Sequence, residues 1–174
     1  MIHLINIDDP LIQLFGRDPQ LAESRYSIQF GDVTELVREA IQQTIGLYRR
    51  NSCEAPWIGY LAVSQAMQAM QVVGTCAFTR MPQETGRVEI AYKTFSMFES
   101  LGFGTAMARS LIEIARGAGT ATHVIAYTLP ESSASTTILG KIGMTWQGEV
   151  TIEDEGMVWL WELSLKRDAR NSSS

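Results

Sequence analysis

Residues 99–105, between a predicted strand and a predicted helix, have the composition of an anion-binding loop and read Glu-Ser-Leu-Gly-Phe-Gly-Thr. The first turn of a helix leaves backbone N–H groups unpaired, and aligned peptide dipoles place roughly half a positive charge there. Gly102 and Gly104 have no Cβ, so their backbone can approach an oxygen closely, and Thr105 adds a hydroxyl. A pyrophosphate would satisfy these donors. A glycine-rich helix entry without a ligand fits the loop equally well.

The loop does not match two better-known phosphate motifs. The third glycine of G-x-G-x-x-G would fall at Met107, so the loop is not a dinucleotide fingerprint. No Gly-Lys-Ser/Thr sequence follows it, which excludes a P-loop. The interpretation of the loop therefore depends on the elements around it.

The composition predicts a single globular domain spanning residues 1–174. Of the 174 residues, 45% are hydrophobic and 19% are charged, and the net charge is −5. A chain of this length buries roughly 70% of its unfolded surface and needs no disulfide or metal for stability. The acidic balance and the lack of a dense Lys/Arg run argue against nucleic-acid and membrane-surface partners.

Neither a metal site nor a targeting segment is predicted. Cys53 and Cys76 do not make a disulfide framework, and two histidines without clustered spacing offer little material for zinc. No charged start followed by a long apolar run is present, so neither a signal peptide nor a membrane span is expected. A cytoplasmic location is the default expectation.

The N-terminal third contains few clear signals. Residues 2–7 and 26–30 are each compatible with an edge strand, and the Asp-Pro segments at 8–10 and 17–19 are typical of turns. Asp32, followed three residues later by Glu35, predicts the start of a helix whose apolar residues recur at helical spacing.

The remaining elements alternate between strands and helices. Strands are predicted at 57–63, 71–79, 87–94 and 123–128, and a hairpin at 146–152 and 157–166. Helices are predicted after Gly104 and at 133–141, and the polar tail 167–174 is expected to be disordered. This order predicts an α/β (or α+β) sheet that is partly parallel, because helices cross between strands.

Three motifs in order carry a family resemblance. Residues 88–92 read Val-Glu-Ile-Ala-Tyr, the glycine loop follows, and residues 130–135 and 139–144 read Pro-Glu-Ser-Ser-Ala-Ser and Leu-Gly-Lys-Ile-Gly-Met. Here the chain resembles the GNAT superfamily of acyl-coenzyme A-dependent N-acyltransferases, and most of all the branch of the ribosomal-protein N-terminal acetyltransferases. The resemblance covers residues 57 to 165, whereas residues 1–55 match poorly.

The resemblance implies a mixed, partly parallel sheet of six or seven strands, flanked by about four helices, in which two central parallel strands splay apart. It implies acetyl-coenzyme A as cosubstrate, with its pantetheine arm in that gap beside residues 91–94, and no metal. By the same likeness, the residues that would bind the coenzyme are Tyr92, Lys93, Thr94, Glu99, Ser100, Leu101, Gly102, Phe103, Gly104, Thr105, Ser132 and Ser135.

Three residues are implied in catalysis by the resemblance. The backbone N–H of Lys93 would polarise the thioester carbonyl, and one such donor lowers a barrier by about 3 kcal/mol. Glu89 matches the position of a general base, which would take the proton of the attacking amine. The alternative for Glu89 is a half-buried side chain paired with Arg80 or Arg87. Ser135 matches a serine near the coenzyme sulfur, and its alternative is capping or bracing of the short helix.

Two substitutions predict weaker coenzyme binding than in similar proteins. Glu99 stands where Gln or Arg is usual, and Ser132 replaces the more usual Asn. Residues 95–104 also contain no Lys or Arg. These departures leave a second hypothesis open, in which the fold binds or senses coenzyme A without catalysis. The acceptor would be a small-molecule or peptide amine, and the exposed final strands would be compatible with a homodimer.

Overall fold

The computed structural model describes residues 1–65 and 69–166. The predicted disordered tail, 167–174, lies outside these residues. Within them one sheet is formed by seven strands: β1 (Ile2–Asn6), β2 (Gly59–Ser64), β3 (Gln71–Arg80), β4 (Arg87–Thr94), β5 (His123–Thr128), β6 (Thr145–Ile152) and β7 (Gly156–Ser164). Five α-helices accompany it: α1 (Asp9–Arg17), α2 (Pro19–Tyr26), α3 (Thr34–Arg50), α4 (Phe103–Ala118) and α5 (Ala134–Lys141).

The sheet confirms the predicted mixed topology. Its order is β1-β2-β3-β4-β5-β7-β6, and β4 with β5 is the parallel pair. The other neighbouring strands pair antiparallel. A parallel pair needs a crossover, and α4 supplies it between β4 and β5. Both of these strands have the bounds predicted from the sequence.

The parallel pair separates part of the way along its length. Arg87, Val88 and Glu89 pair with His123, Val124 and Ile125. Beyond that point residues 90–94 of β4 and 126–128 of β5 are not paired with each other, although β5 continues to pair with β7. The two central strands therefore splay apart, as the family resemblance implied.

Side-chain alternation divides β4 between two layers. A Cβ at Gly104 of α4 would lie 3.5 Å from Thr94 Oγ1 and 3.8 Å from Tyr92 Cε2, so Tyr92 and Thr94 face α4. Since successive side chains in a strand point to opposite faces, Glu89, Ala91 and Lys93 lie on the other face. That face is the one covered by α3, whose residues share a cavity with Ala91 and Lys93.

The two Asp-Pro segments begin helices, so their prediction as turns is wrong. The Asp8 carboxylate accepts a hydrogen bond from the Leu11 amide at 3.1 Å, and Asp18 accepts one from Gln20 at 3.0 Å. These aspartates cap α1 and α2, each of which has a proline in its first turn. Aspartate and proline are favoured both in turns and at helix starts. Five α-helices result instead of about four.

Two further predictions in this region are wrong. Residues 26–30 do not form a strand, because α2 runs to Tyr26 and pairing afterwards is limited to one bridge between Gln29 and Gln71. Asp32 is not the N-cap of α3. It lies inside a 3₁₀ turn, Gly31–Val33, and the helix follows directly from that turn without a side-chain cap.

Candidate active site

The entrance to α4 presents unpaired backbone amides. Ser100 and Gly102 adopt the left-handed conformation, with φ of 63° and 84°, in the turn that leads into the helix. Among the described residues, no protein group accepts a hydrogen bond from the amides of residues 103–105. The next amide, that of Ala106, donates to the Gly102 carbonyl at 3.1 Å. Three donors are thus available at a helix N-terminus, which is the arrangement that binds phosphate groups.

A cavity of about 530 Å³, here called the entrance cavity, lies against these amides. It is bounded by β4, by the glycine loop with the start of α4, and by α5. Leu101 and Ser132, both predicted to bind the coenzyme, are not among its lining residues, and Leu101 is 60% exposed. The other predicted residues line it: Tyr92, Lys93, Thr94, Glu99, Ser100, Gly102, Phe103, Gly104, Thr105 and Ser135.

Sequence reasoning missed three lining residues on α5, namely Ala134, Thr137 and Ile138. Helical spacing supplies the signal that would have found them. Residues three and four apart lie on one face of a helix, so Thr137 and Ile138 share a face with Ala134. Ile138 shares one with Ser135 in the same way. The first turns of α5 thus form a wall opposite the loop.

Gly104 lies close to this wall. A Cβ at residue 104 would lie 2.9 Å from Ile138 Cδ1 and 3.5 Å from Thr94 Oγ1. The second distance is an ordinary contact, and the first would make the end of the Ile138 side chain move aside. The glycine therefore leaves room for Ile138 at the cavity wall, in addition to leaving its own amide accessible.

A second cavity, here called the gap cavity, occupies the space where β4 and β5 separate. It encloses about 330 Å³. Glu89 from β4, Ser135 from α5 and Glu155 from the β6–β7 turn all line it. Ser135 and Tyr92 also line the entrance cavity, so the two cavities meet at these side chains. The fold thus brings Glu89 and Ser135, 46 positions apart in the chain (135 − 89), to one site.

The pKa of the Glu89 carboxyl is raised above its ordinary value of 4.5, chiefly because burial disfavours the charged form. The nearby Glu155 carboxylate raises it further, while the Thr79 hydroxyl and the Arg80 guanidinium lower it. Thr79 nonetheless makes no hydrogen bond of standard geometry. The balance leaves a base that takes up a proton more readily than an exposed glutamate does.

The ion pairs around Glu89 distinguish its two predicted partners. Arg80 Nε lies 4.0 Å from Glu89 Oε2, and the arginine side chain is 58% exposed, so this pair contributes little. Arg87 instead pairs with Glu162 on β7, at 2.9 Å from Nη2 to Oε2. The pairing with Arg87 is therefore wrong, and Arg80 holds Glu89 only loosely.

Capping of α5 is performed by Ser133. Its hydroxyl accepts a hydrogen bond from the Thr136 amide at 3.3 Å, and Thr136 Oγ1 accepts one from the Ser133 amide at 2.9 Å. This is a reciprocal capping box. Ser135 is the second residue of the helix and lines both cavities. Capping by Ser135 is therefore wrong, whereas its alternative role in bracing the helix stays a prediction.

Tyr92 separates the two cavities. Its hydroxyl is buried and has no hydrogen-bond partner among the described residues, and burial raises its pKa to about 12. The phenol therefore stays neutral at physiological pH. Tyr92 shapes the junction of the cavities without adding charge to it.

The described residues offer neither a metal site nor a membrane-spanning helix. No group of three or more His, Cys, Asp or Glu side chains is arranged to hold a metal ion in residues 1–65 and 69–166. Over the same ranges, no helix is long and apolar enough to cross a membrane.

Solved structures resemble the whole fold. One is the acetyltransferase from Salmonella typhimurium that modifies the N-terminal serine of ribosomal protein L7/L12, with 14% identity, a TM-score of 0.63 and 94% of each chain covered. Another is a putative ribosomal-protein-serine acetyltransferase from Vibrio cholerae, with 13% identity and a TM-score of 0.65, covering 94% of this chain and 93% of the other. A third is a putative acetyltransferase from Salmonella typhimurium with acetyl-CoA, with 14% identity and a TM-score of 0.57, covering 100% and 98%.

The sequence itself matches a family model. The GNAT acetyltransferase domain matches residues 2–145, which include the first 55 residues. No curated protein sequence matches the chain. Because the family match spans well over half of the 174 residues, the chain belongs to the GNAT acetyltransferase family. The family indicated by the three sequence motifs is confirmed.

Proposed function

We propose that this protein transfers an acetyl group from acetyl-coenzyme A to a primary amine by direct attack within a ternary complex. The observation that carries the proposal is the junction of two cavities at one point of the sheet. The entrance cavity offers three unpaired amides for a pyrophosphate, and the gap cavity offers unpaired β4 backbone beside Glu89 and Ser135. A coenzyme whose pyrophosphate lies at α4 would extend its acyl arm into the gap.

In this proposal the backbone of β4 binds the arm and polarises the thioester. Residues 90–94 are not paired with β5, so this edge of the strand is available to the pantetheine amides. The Lys93 N–H, which the resemblance implied as the donor to the thioester, is directed toward β3, because Thr75 and Lys93 pair in the register in which the Phe95 N–H donates to the Val73 carbonyl at 2.9 Å. The N–H groups on the open edge are those of Tyr92 and Thr94, and one of them donates to the thioester carbonyl, whose oxygen gains negative charge during attack. A preorganised donor of this kind lowers the barrier by about 3 kcal/mol. Orientation of two bound reactants contributes roughly 7–11 kcal/mol more.

Proton transfer is assigned to two side chains that line the gap cavity. Glu89 takes a proton from the ammonium group of the acceptor, directly or through a water, so that the neutral amine attacks. Ser135 lies beside the departing sulfur and donates a hydrogen bond to the thiolate. The raised pKa of Glu89 brings it closer to that of the amine than an ordinary carboxylate would be.

The class of amine acceptor that we propose is taken from the proteins whose solved structures resemble this fold. Two of them are described as ribosomal-protein acetyltransferases, one of which modifies an N-terminal serine. We take a peptide amino terminus in the cytoplasm as the working acceptor.

The single sheet that contains every described strand supports one domain. A homodimer stays a prediction. It is supported by the edge strand β6, where the Trp146 side chain is 53% exposed and could contact a second copy.

The test is thiol release from acetyl-coenzyme A with a panel of amines and N-terminal peptides, alongside thermal unfolding with coenzyme A. Release that depends on the acceptor, together with a coenzyme-dependent thermal shift, is expected. A thermal shift without turnover would favour the non-catalytic coenzyme-binding alternative. That alternative is motivated by the entrance cavity, where Lys93 is the one cationic residue among the described residues that line it, and its side chain lies on the α3 face of β4. The absence of both a thermal shift and turnover would refute both hypotheses.

Glu99→Gln is expected to tighten coenzyme binding. The exposed Glu99 carboxylate lines the entrance cavity, where it would repel the coenzyme phosphates. An exposed charge pair is worth roughly 0.2–1 kcal/mol, so Kd should fall about threefold in low salt. Titration calorimetry with coenzyme A measures the change. Glu84→Gln, in the exposed β3–β4 turn, serves as the control, and an equal change in both variants would contradict the prediction.

A further inference from the structure

A third cavity, here called the α3 cavity, lies between α3 and the face of β3 and β4 that carries Lys93. It encloses about 370 Å³. Small or apolar side chains such as Ala40, Leu47 and Ala77 make up much of its wall. It meets the gap cavity at three residues: Thr79, Ala91 and Tyr92. A molecule in the α3 cavity can therefore extend one end into the gap.

The charged groups of the α3 cavity are all cationic. Arg50, in the last turn of α3, and Lys93 line it, and no carboxylate does so in the part of the chain described. Neither cation forms an ion pair with a described residue. This contrasts with the whole chain, where 19 acidic residues outnumber 14 Lys and Arg. The local charge is thus opposite in sign to the net charge.

Two unpaired cations constrain what can enter. An acceptor amine is largely protonated at neutral pH, since the pKa of a lysine-like amine is about 10.4 and that of a peptide amino terminus about 7.7–8.0. If the acceptor carried a further ammonium group besides the amine to be acetylated, Arg50 and Lys93 would repel that group in the α3 cavity. An anionic group on the acceptor would be attracted to them, and a guanidinium binds a carboxylate with two parallel hydrogen bonds.

We propose that the α3 cavity selects peptide amino termini that carry an aspartate or glutamate within their first three residues. The proposal rests on the proposed function, because the amino group must reach the gap cavity to be acetylated. A free α-amino acid, whose amine and carboxylate share one carbon, would hold its carboxylate in the gap cavity together with its amine. An extended peptide advances about 3.3 Å per residue, so its second and third side chains reach past the gap into the α3 cavity.

The experiment compares three peptide amides that differ in one side chain: Ala-Ala-Asp, Ala-Ala-Asn and Ala-Ala-Lys. Their Kd values are measured by calorimetry on protein saturated with coenzyme A, and their acetylation by thiol release with acetyl-coenzyme A. The acidic peptide should bind about tenfold more tightly than the neutral one, and the basic peptide most weakly. The preference should shrink in 0.5 M salt, because salt screens exposed charges. Leucine and leucinamide form a further pair, for which no preference is expected.

Matched variants localise the effect. Arg50→Gln and Lys93→Gln should each lower the acidic preference at least threefold, and Lys93→Gln leaves the N–H groups of Tyr92 and Thr94 in place. Arg49→Gln is the control, because Arg49 is exposed on the same helix turn but does not line the α3 cavity. The preference of Arg49→Gln for the acidic over the neutral peptide should equal that of the unmodified protein.

The outcomes separate this proposal from the proposed function. Equal binding of the three peptides, or an equal loss in Arg49→Gln and Arg50→Gln, overturns the selectivity. If the protein prefers leucine to leucinamide as strongly as it prefers the acidic to the neutral peptide, the assignment to peptides is overturned. Acidic selectivity in binding without any thiol release supports the α3 cavity as a binding site and refutes acetyl transfer. Thiol release that is independent of charge refutes the selectivity alone.

Discussion

Glu89→Gln is expected to lower kcat by about 100-fold at neutral pH. Glutamine has nearly the same shape but cannot take the proton of the acceptor amine, and general-base catalysis typically contributes 10²- to 10⁴-fold. The acid limb of the kcat/KM profile should also move up to the pKa of the acceptor amine, about 7.7–8.0 for a peptide amino terminus, because the variant can use only amine that is already neutral. In the unmodified protein this limb lies above pH 4.5, because burial raises the pKa of Glu89. Steady-state thiol release between pH 5 and 9 measures both effects.

Glu155→Gln is the matched comparison, because Glu155 is the other carboxylate that lines the gap cavity. Its negative charge raises the pKa of Glu89, so its removal should move the acid limb to lower pH while activity is largely retained. If Glu155→Gln instead loses activity and Glu89→Gln retains it, the base is Glu155 and the assignment to Glu89 is wrong.

The same Glu89→Gln variant is expected to be more stable to heat at neutral pH. Burial raises the pKa of Glu89 in the folded chain, so the folded state binds this proton more tightly than the unfolded state does. Its contribution favours folding at low pH and turns unfavourable as the pH rises through the folded pKa. The gain in Tm should therefore be largest at pH 7–8 and vanish below pH 4.5, the ordinary glutamate value. A loss of stability at neutral pH would contradict this account.

Gly74→Ala is expected to disrupt both the sheet and the coenzyme site. A Cβ at residue 74 would lie 2.4 Å from the Lys93 carbonyl oxygen and 3.2 Å from Thr94 Cα, which are backbone atoms of β4. It would also lie 3.0 Å from Met107 Cε on α4. Backbone cannot rotate out of the way as a side chain can, so β3 and β4 must move apart. Overpacking of this kind costs about 1–3 kcal/mol.

Urea unfolding should show that loss in Gly74→Ala, and kcat/KM for acetyl-coenzyme A should fall at least tenfold, because the displaced residues are those assigned to the thioester. Gly117→Ala, near the end of α4, is the control. A Cβ there meets nothing within 4 Å, and alanine favours a helix over glycine by up to about 1 kcal/mol. This control should gain stability and keep its activity. Unchanged stability in Gly74→Ala would show that the strands tolerate the added methyl group.

Sequence reasoning was most successful where one physical signal acted alone. The bounds of β5 follow from a short apolar run, those of β4 from the turn that ends at Gly86, and α4 from helical periodicity that ends at a glycine. It failed at Asp8, Asp18 and Asp32, because aspartate near proline or glycine is compatible with a turn, a helix start or a 3₁₀ turn. Local sequence did not choose among these; in the fold, α1 and α2 bury Leu11, Phe15 and Ala22 in the core.

The sequence alone determined the family and the position of the candidate site. A glycine loop before a helix, with the flanking motifs at 88–92 and 130–144, is a local pattern, and a helix N-terminus binds anions through its own backbone. The tertiary structure decided which side chains share a cavity. It placed Glu155 beside Glu89, gave the cap of α5 to Ser133, and brought Arg50 and Lys93 to one cavity. The reason is that charge and burial act through space, between residues whose distance along the chain predicts nothing about their separation in the fold.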